Sequence, residues 1–228
     1  MDKIVFLTGA GISKESGIPT FREAGDGLWE NFNVDEVATH RAITEDPKKV
    51  YDFINTLRKK YQDCKPNEAH LTIAELEKDY EVVVITQNVD TLHEQAGSSR
   101  VIHLHGRLDK VQALDDRDLF FDYDQDITPE TEIRGHKVRP HIVLFGEDVP
   151  MIEVAEKELC DADICVVVGT SFNVYPAAGL VQYVEYGKPI YYIDPNPAYT
   201  PDYPDIQVIK EKATVGMKEL VKKIKSGN

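Results

Sequence analysis

Five short runs of apolar, largely β-branched residues constrain this chain more than any other feature: residues 4–7, 82–85, 142–145, 164–168 and 190–193. Each has the length of a strand, and unbroken apolar character implies burial on both faces. Helix-like stretches separate several of them, at 69–79 with apolar Leu71, Ala74 and Leu76, at 151–159 and at 177–186. Strand alternating with helix predicts an α/β fold of the Rossmann-like kind, a doubly wound parallel sheet.

Two segments break the alternation. Residues 24–66 read as a mostly helical excursion, with Asp46-Pro47 placed to start a helix and 50–61 amphipathic at helical spacing. Residues 107–141 are charged and irregular, with a hairpin expected around 119–123 and sheet character resuming only after Arg139-Pro140. Both insertions are expected to build a smaller lobe on the main sheet. The 228 residues then form a single domain, with a Rossmann-like lobe at about 1–23, 67–106 and 142–228 and a small lobe at about 24–66 and 107–141. A closing amphipathic helix at 216–225 carries Lys222, Lys223 and Lys225 at the negative end of its dipole.

Composition narrows the partners. The 42% hydrophobic and 29% charged content is that of a folded globular chain. Forty acidic against twenty-six basic residues give a net charge of −14, which repels phosphate backbones and anionic lipid headgroups. Neither nucleic acid nor a membrane surface is an expected partner, whereas lysine-bearing peptides are compatible with that charge. Cys64, Cys160 and Cys165 are odd in number and form no CxxC pair, which supports neither a disulfide framework nor a cysteine zinc site and fits a reducing cytoplasm. Cys160 and Cys165 are expected to be buried, inert thiols. The run at 4–7 is too short for a signal-peptide core, and no stretch approaches a membrane span. The sequence fixes no oligomeric state, and a monomer is compatible with it.

Polar and glycine-rich turns follow the apolar runs. The first leads into Thr8-Gly9-Ala10-Gly11-Ile12-Ser13, then Glu15, Ser16 and Gly17. Glycines there let a backbone approach a ligand, and amides at the following helix start are aimed at phosphate. The third glycine of GxGxxG is absent, so a structural turn is the alternative reading. Ile18-Pro19-Thr20-Phe21-Arg22 comes next, where an aromatic ring and a guanidinium are placed to cover a seated nucleotide. After the second run stand Thr86-Gln87-Asn88-Val89-Asp90 and His93. Ligands of open α/β sheets bind beyond the carboxyl ends of strands, although Asn88 or Asp90 capping a helix is the plainer reading. Alternation in Val101-Ile102-His103-Leu104-His105-Gly106 puts His103 and His105 on one side of an extended segment. The residues alone leave a base, a metal ligand and a core histidine open, with no obvious third ligand for a metal. Val168-Gly169-Thr170-Ser171 and Asp194-Pro195-Asn196 end two further runs, and together these turns describe one crevice.

The set Gly9 to Ser13, Ile18 to Arg22, Thr86 to Asp90, His103-Leu104-His105-Gly106, Ile142 to Glu147, Gly169-Thr170-Ser171 and Val174-Tyr175-Pro176 closely resembles the sirtuin family in order and spacing. The resemblance implies a protein-lysine deacylase that consumes NAD and releases nicotinamide, free lysine and O-acyl-ADP-ribose, acting on acyl-lysine proteins or peptides. It implies that His105 is the general base working through the nicotinamide ribose hydroxyls, with His103 structural. Asn88 and Asp90 match residues at the nicotinamide end, and Gln87 one that reaches the ribose. Gly9, Ala10, Gly11 and Ser13 belong to the cofactor loop with Phe21 and Arg22, while Gly169, Thr170, Ser171, Asn196 and Ala213 match positions around phosphates and adenosine. Val143, Phe145, Gly146 and Glu147, with Asn173 and Val174 opposite, match two edges between which a substrate peptide lies as an added strand.

Two departures from the family pattern stand out. Sirtuins usually hold zinc with four cysteines in a small module, and residues 107–141 contain none, with Ala113 near one ligand position. His136 and His141 cannot replace four thiolates, so no zinc is expected and the lobe is expected to rest on Leu119, Phe120, Phe121 and Tyr123. Gly27-Leu28-Trp29 and Val37-Ala38-Thr39 resemble the bacterial branch that removes acidic acyl groups with a tyrosine and an arginine three residues apart. Here Ile54 and Leu57 stand at those positions, beside Ala38, which implies an apolar acyl pocket. The competing functions are ADP-ribosyl transfer to a protein through the same site and non-catalytic sensing of NAD or ADP-ribose.

Overall fold

The computed structural model describes residues 1–20, 32–171, 174–197 and 206–226. Phe21, Arg22 and Asn173 lie outside the described residues. Strands β1 (Lys3–Thr8), β2 (Glu81–Thr86), β3 (Val101–His103), β8 (Ile164–Val168), β9 (Ile190–Ile193) and β10 (Ile206–Ile209) form one sheet in the order β10-β9-β8-β1-β2-β3, every pair parallel.

The apolar runs are strands because both faces of this sheet are covered. Val5, Leu7, Val83, Ile85, Cys165, Val167 and Tyr192 join one core cluster, roofed by Ala155 and Leu159 of helix Ile152–Cys160 and by Leu180 and Val181 of the 3-10 helix Ala177–Tyr183. Their sequence neighbours Ile4, Phe6, Val82, Val84, Val166, Val168 and Tyr191 join the other, under Ala69 and Ile73 of Glu68–Leu76 and Met217 and Leu220 of Ala213–Ser226. Side chains alternate across a strand, so a continuous apolar run feeds two cores at once.

A second sheet has the order β5-β4-β7-β6, built from β4 (Gly106–Ala113), β5 (Phe120–Asp122), β6 (Glu132–Ile133) and β7 (His136–Ile142), all antiparallel. The helix Pro47–Tyr61 packs on it. Asp46 caps that helix by accepting from the Lys49 amide, and Pro47 occupies its first turn, as the sequence indicates. Val50, Phe53, Ile54 and Leu57 enter a cluster with Ala38, Leu108 and Leu144, while Tyr51 enters another with Val111, Ala113, Phe121, Ile127 and Val138.

Several expectations need correction. Residues 107–141 are not irregular until Pro140, since β4 and β7 pair with Ala113 opposite Val138 and Val111 opposite Pro140. Charged residues hide the buried positions Leu108, Val111 and Ala113, and a register shift between Gly106 and Val111 breaks the alternation itself. The run 142–145 is not a strand of the parallel sheet: Ile142 ends β7, the Phe145 amide donates to the Ala38 carbonyl, and the chain turns at Gly146 with φ of +89°. Phe120 is 40% exposed and packs on the His141 ring, and the second sheet's core takes Phe121 instead. Cys165 is buried, with its thiol pushed up to about 12 by burial, but Cys160 is exposed at the end of its helix. Among the described residues no helix is long and apolar enough to cross a membrane.

Candidate active site

From β1 the chain passes to β2 and β3 on one side, while β8 lies on the other, so the loops after β1 and β8 flank the point where strand order reverses. There the loops touch. The Gly9 amide donates to the Val168 carbonyl and the Gly11 amide to the Gly169 carbonyl at 2.9 Å. A Cβ on Gly9 would stand 2.7 Å from the Gly169 oxygen, and one on Gly11 2.6 Å from the Gly169 Cα. Loop-to-loop contact is thus what requires these glycines, and it also alters the phosphate reading. The N–H groups of Gly9, Gly11 and Ile12 all have protein carbonyl partners, and the helix that follows, Ala10–Ser13, is a single turn.

The loop after β2 lies alongside. Gln87 donates from Nε2 to Thr170 Oγ1 at 3.1 Å, joining it to the loop after β8. Asn88 donates from Nδ2 to the Gly9 carbonyl and to Ser13 Oγ, while its buried Oδ1 has no partner. Asp90 lies behind this group. Its Oδ2 accepts from Ser13 Oγ, its Oδ1 accepts from the Leu92 amide, and burial pushes its carboxyl above the usual range. Asp90 thus makes a local turn with Leu92, but the N-cap of the helix Leu92–Ala96 is Thr91, so the helix-capping reading does not hold.

His105 stands at the crossing between the sheets, one residue before β4. Its Nδ1 is 3.0 Å from the Gln87 carbonyl. A carbonyl only accepts, so the proton sits on Nδ1 and Nε2 keeps the lone pair. Burial lowers the pKa of the ring, opposed by that hydrogen bond, which favours the neutral form able to accept a proton. His103 turns to the same loop, with Nδ1 3.0 Å from the Asn88 carbonyl, but lies off the cavity and pairs with Glu94.

A cavity of about 890 Å³ joins these loops to the helical segment. On the parallel-sheet side it is lined by Gly9, Ala10, Gly11, Gln87, Asn88, Gly169, Thr170, Ser171, Asn196 and Ala213, and His105 lies on its wall. Ala38, Ile54 and Leu57 line the other side, with Val143, Phe145, Gly146, Glu147 and Val174 along its walls. Of the expected residues within the description, only Ser13 and Asp90 do not face it; they support Asn88 from beneath. Sequence reading missed Phe53, Leu108, Lys14, Thr20 and Lys212 as lining residues. Phe53 was within reach, since it shares the spacing 50, 53, 54, 57 of one helix face; Lys212, just before a helix start, carries no such signal.

The orphaned Asn88 oxygen, the basic nitrogen of His105 and the polar crevice suit a nucleotide with an amide head. A metal is a different matter. Among the described residues no three His, Cys, Asp or Glu side chains converge, His136 is held by Asp115, and Ala113 is packed in an apolar cluster, so zinc does not fit the second sheet.

The Sir2 family model matches residues 9–176. The NAD-dependent protein deacylase of Bacteroides thetaiotaomicron is 48% identical over 229 residues, covering 96% of this chain and 97% of that one. The protein of the same name from Helicobacter pylori strain 26695 is 44% identical over 227 residues, covering 98% of each. Among solved structures, a Sir2 homologue in complex with NAD superposes with a TM-score of 0.84 at 39% identity, over 99% of this chain and 90% of that one. A mutant Sir2 homologue in complex with ADP-ribose gives 0.87 at 38% identity, over 99% and 92%. A strand-order switch carrying these loops, and relatives alike across nearly the whole chain, lead to one statement: this chain belongs to the Sir2 family, the sirtuins.

Proposed function

We propose that this protein is an NAD-dependent protein deacylase that removes acyl groups from lysine side chains of proteins or peptides. The observation that carries the reading is the His105 ring: the Gln87 carbonyl fixes its tautomer, and the lone pair of Nε2 belongs to a cavity shared by Asn88 and an apolar wall. NAD supplies a ribose carbon with nicotinamide as leaving group. Asn88 offers its unpaired Oδ1 to an amide head, with Asp90 and Ser13 holding it in place. Gln87, Gly169, Thr170, Ser171, Asn196 and Ala213 line the rest of the nucleotide path, and His105 accepts a proton from a ribose hydroxyl. Val143, Phe145, Gly146 and Glu147 present the edge for the peptide, where backbone pairing gives affinity with little sequence selectivity. The nucleotide lies against the Rossmann-like lobe (1–23, 67–106, 142–228), and the acyl chain reaches the small lobe (24–66, 107–141).

The test is mass spectrometry of an acetyl-lysine peptide with and without NAD, beside a His105→Ala variant. NAD-dependent loss of the acetyl group, absent in the variant, is the expected result. Nicotinamide release without peptide change, and added mass on a protein acceptor, would instead indicate ADP-ribosyl transfer.

The acyl group is acetyl or a longer hydrocarbon chain rather than acidic, because Ala38, Phe53, Ile54, Leu57 and Leu108 offer no cation to a carboxylate. Without a partner, an acidic acyl group is disfavoured by about 2–5 kcal/mol. Acetyl and succinyl forms of one peptide decide this, and a faster succinyl reaction would refute it. Three free cysteines and a net charge of −14 support a cytoplasmic protein that does not bind nucleic acid.

A further inference from the structure

Where β7 ends, the chain forms the edge assigned above to the peptide, and one arginine holds that edge in shape. Arg139 of β7 donates from Nη1 to Glu147 Oε1 at 2.7 Å and from Nη2 to Oε2 at 3.1 Å, a two-pronged pair whose side chains are only 16% and 17% exposed. The same Nη2 donates to the Ile142 carbonyl at 3.1 Å, so one guanidinium grips both the last residue of its own strand and the carboxylate beyond the turn. Glu147 passes that grip on. Its Oε2 accepts from the Leu144 amide at 2.9 Å, and its own amide donates to the Leu144 carbonyl at 3.0 Å. His40 Nδ1 also approaches Oε1, at 3.2 Å, but its side chain is 63% exposed and solvent screens the contact.

These bonds decide which backbone groups the edge has left to offer. Phe145 is used up against the helical segment, donating to the Ala38 carbonyl and accepting from the His40 amide, both at 2.9 Å, in a parallel bridge. The Val143 amide donates to the His105 carbonyl at 3.0 Å, which ties the start of the segment to the residue carrying the base. Leu144 is closed on Glu147. Gly146 lines the cavity, and among the described residues neither its amide nor its carbonyl has a partner. A glycine at φ of +89° is the least constrained point of such a segment, so the bonds of Leu144 and Glu147 on either side are what place it.

The carboxylate of Glu147 is full. Oε1 meets Arg139 and His40, Oε2 meets Arg139 and Leu144, and two bonds to each oxygen exhaust its lone pairs. Glu147 therefore serves the edge as a frame and not through a side-chain contact to the peptide. We propose that Arg139, acting through Glu147, is a positioning residue that fixes the Gly146 backbone for the substrate peptide and so sets peptide affinity while touching neither peptide nor nucleotide. This rests on the deacylase reading and adds to it a residue that does not line the cavity. A lysine in its place carries the charge but not the two-pronged geometry, because an ammonium is a point charge. The fork is made before the peptide arrives and persists through the reaction, so its loss weakens ground state and transition state alike and shows in KM rather than kcat.

The first test needs neither variant nor turnover. In amide hydrogen exchange of the wild-type protein, Leu144 and Phe145 should be protected while Gly146 exchanges freely. Equal exchange at all three overturns the proposal. The second test compares Arg139→Lys and Glu147→Gln with the wild type in NAD-dependent deacetylation of one acetyl-lysine peptide. Arg139→Lys should raise the peptide KM by up to about 100-fold, with kcat and the KM for NAD within about twofold, and should let Leu144 exchange as fast as Gly146. Glu147→Gln keeps an oxygen for the Leu144 amide but loses the charge that Arg139 grips, and should give an intermediate peptide KM. An unchanged peptide KM in both variants overturns the proposal. So does a loss spread equally over kcat and both KM values, which is what a merely weakened fold would give. Should Arg139→Lys fail to fold, Glu147→Gln and the wild-type exchange pattern decide. Failure of the underlying reading looks different: the wild-type protein then leaves the acetyl-lysine peptide intact in the presence of NAD, while the protection of Leu144 stands.

Discussion

The two sheets of this molecule are held together by different means. In the parallel sheet each strand divides its residues between two apolar layers, and Ile4, Val5, Phe6 and Leu7 are all inaccessible to solvent. The antiparallel sheet has one thin layer of six buried residues, and polar side chains of the helix Pro47–Tyr61 reach across to its backbone. Asn55 donates to the Ile127 carbonyl at 2.8 Å and accepts from the Ile127 amide at 3.0 Å. Arg58 donates to the carbonyls of Leu108, Gln125 and Lys110, and the Tyr51 hydroxyl to that of Val138. One sheet is set by burial and the other by burial plus directed bonds, so the second depends on individual atoms to a degree the first does not.

Truncating one aromatic ring in each sheet tests that contrast most strongly. Phe6→Ala, at the centre of the parallel sheet, should lower the free energy of urea unfolding by about 3–5 kcal/mol. Phe121→Ala, on the edge strand β5, should cost about 2 kcal/mol, since an edge site collapses more readily. Equal losses would break the comparison.

Acid should act mainly on the parallel-sheet side. His70 and His93 are buried there with their rings 4.8 Å apart, and burial lowers His70 from 6.5 to about 4 and His93 well below its ordinary value. A histidine whose folded pKa is depressed binds fewer protons folded than unfolded, so stability is full above the unfolded value and falls as pH drops from 6.5 toward 4. For His70 alone the loss amounts to about 3 kcal/mol. His70→Gln, which keeps a group able to reach back to the Asn67 amide, should flatten stability against pH over that window. His141→Gln tests the other sheet, where burial lowers a single ring to about 4, and should flatten it about as much as His70→Gln, which leaves His93 as the excess on the parallel-sheet side.

The directed bonds can be removed singly. Asn55→Ala leaves the buried amide and carbonyl of Ile127 without partners, at a cost of about 2 kcal/mol. Hydrogen exchange should show the loss concentrated in residues 106–142 while the parallel sheet keeps its protection. Uniform loss of protection would mean that the two sheets open as one unit.

The same contrast explains what could be read in advance. Residues 4–7, 82–85, 164–168 and 190–193 are legible as strands because burial on both faces leaves an unbroken apolar run. β4 carries Arg107 before Leu108 and Asp109 and Lys110 between Leu108 and Val111, and these charged residues make a strand look like a loop. The run 142–145 misleads in the opposite sense: Ile142 ends β7, Leu144 joins the helical cluster, and Val143 and Phe145 line the cavity, so its apolar residues never enter the parallel sheet. At the site, the turns after strands mark Gly9, Asn88 and Gly169, but the unpaired Asn88 oxygen and the Arg139 fork on Glu147 depend on side-chain geometry that spacing does not encode.

Metal removal should produce the smallest effect, and for a stated reason. A structural zinc stabilises by mass action on the folded form, so a chelator lowers the melting temperature of any protein that depends on one. Residues 107–141 contain no cysteine, and Ala113, near a family ligand position, is buried opposite Val138 in the apolar layer. Tyr51, Asn55 and Arg58 tie strands β4 and β7 and the segment 125–127 to one helix, the task a bound ion performs where thiolates are present. Incubation with EDTA should therefore leave both the melting temperature and NAD consumption of the wild-type protein unchanged, and added zinc should raise neither. In Asn55→Ala, where the tie is cut, zinc should still fail to restore stability, because no donor set exists to bind it. A chelator-induced drop in melting temperature that zinc reverses would show that the antiparallel sheet is held by an ion, and the contrast between the two sheets would have to be redrawn.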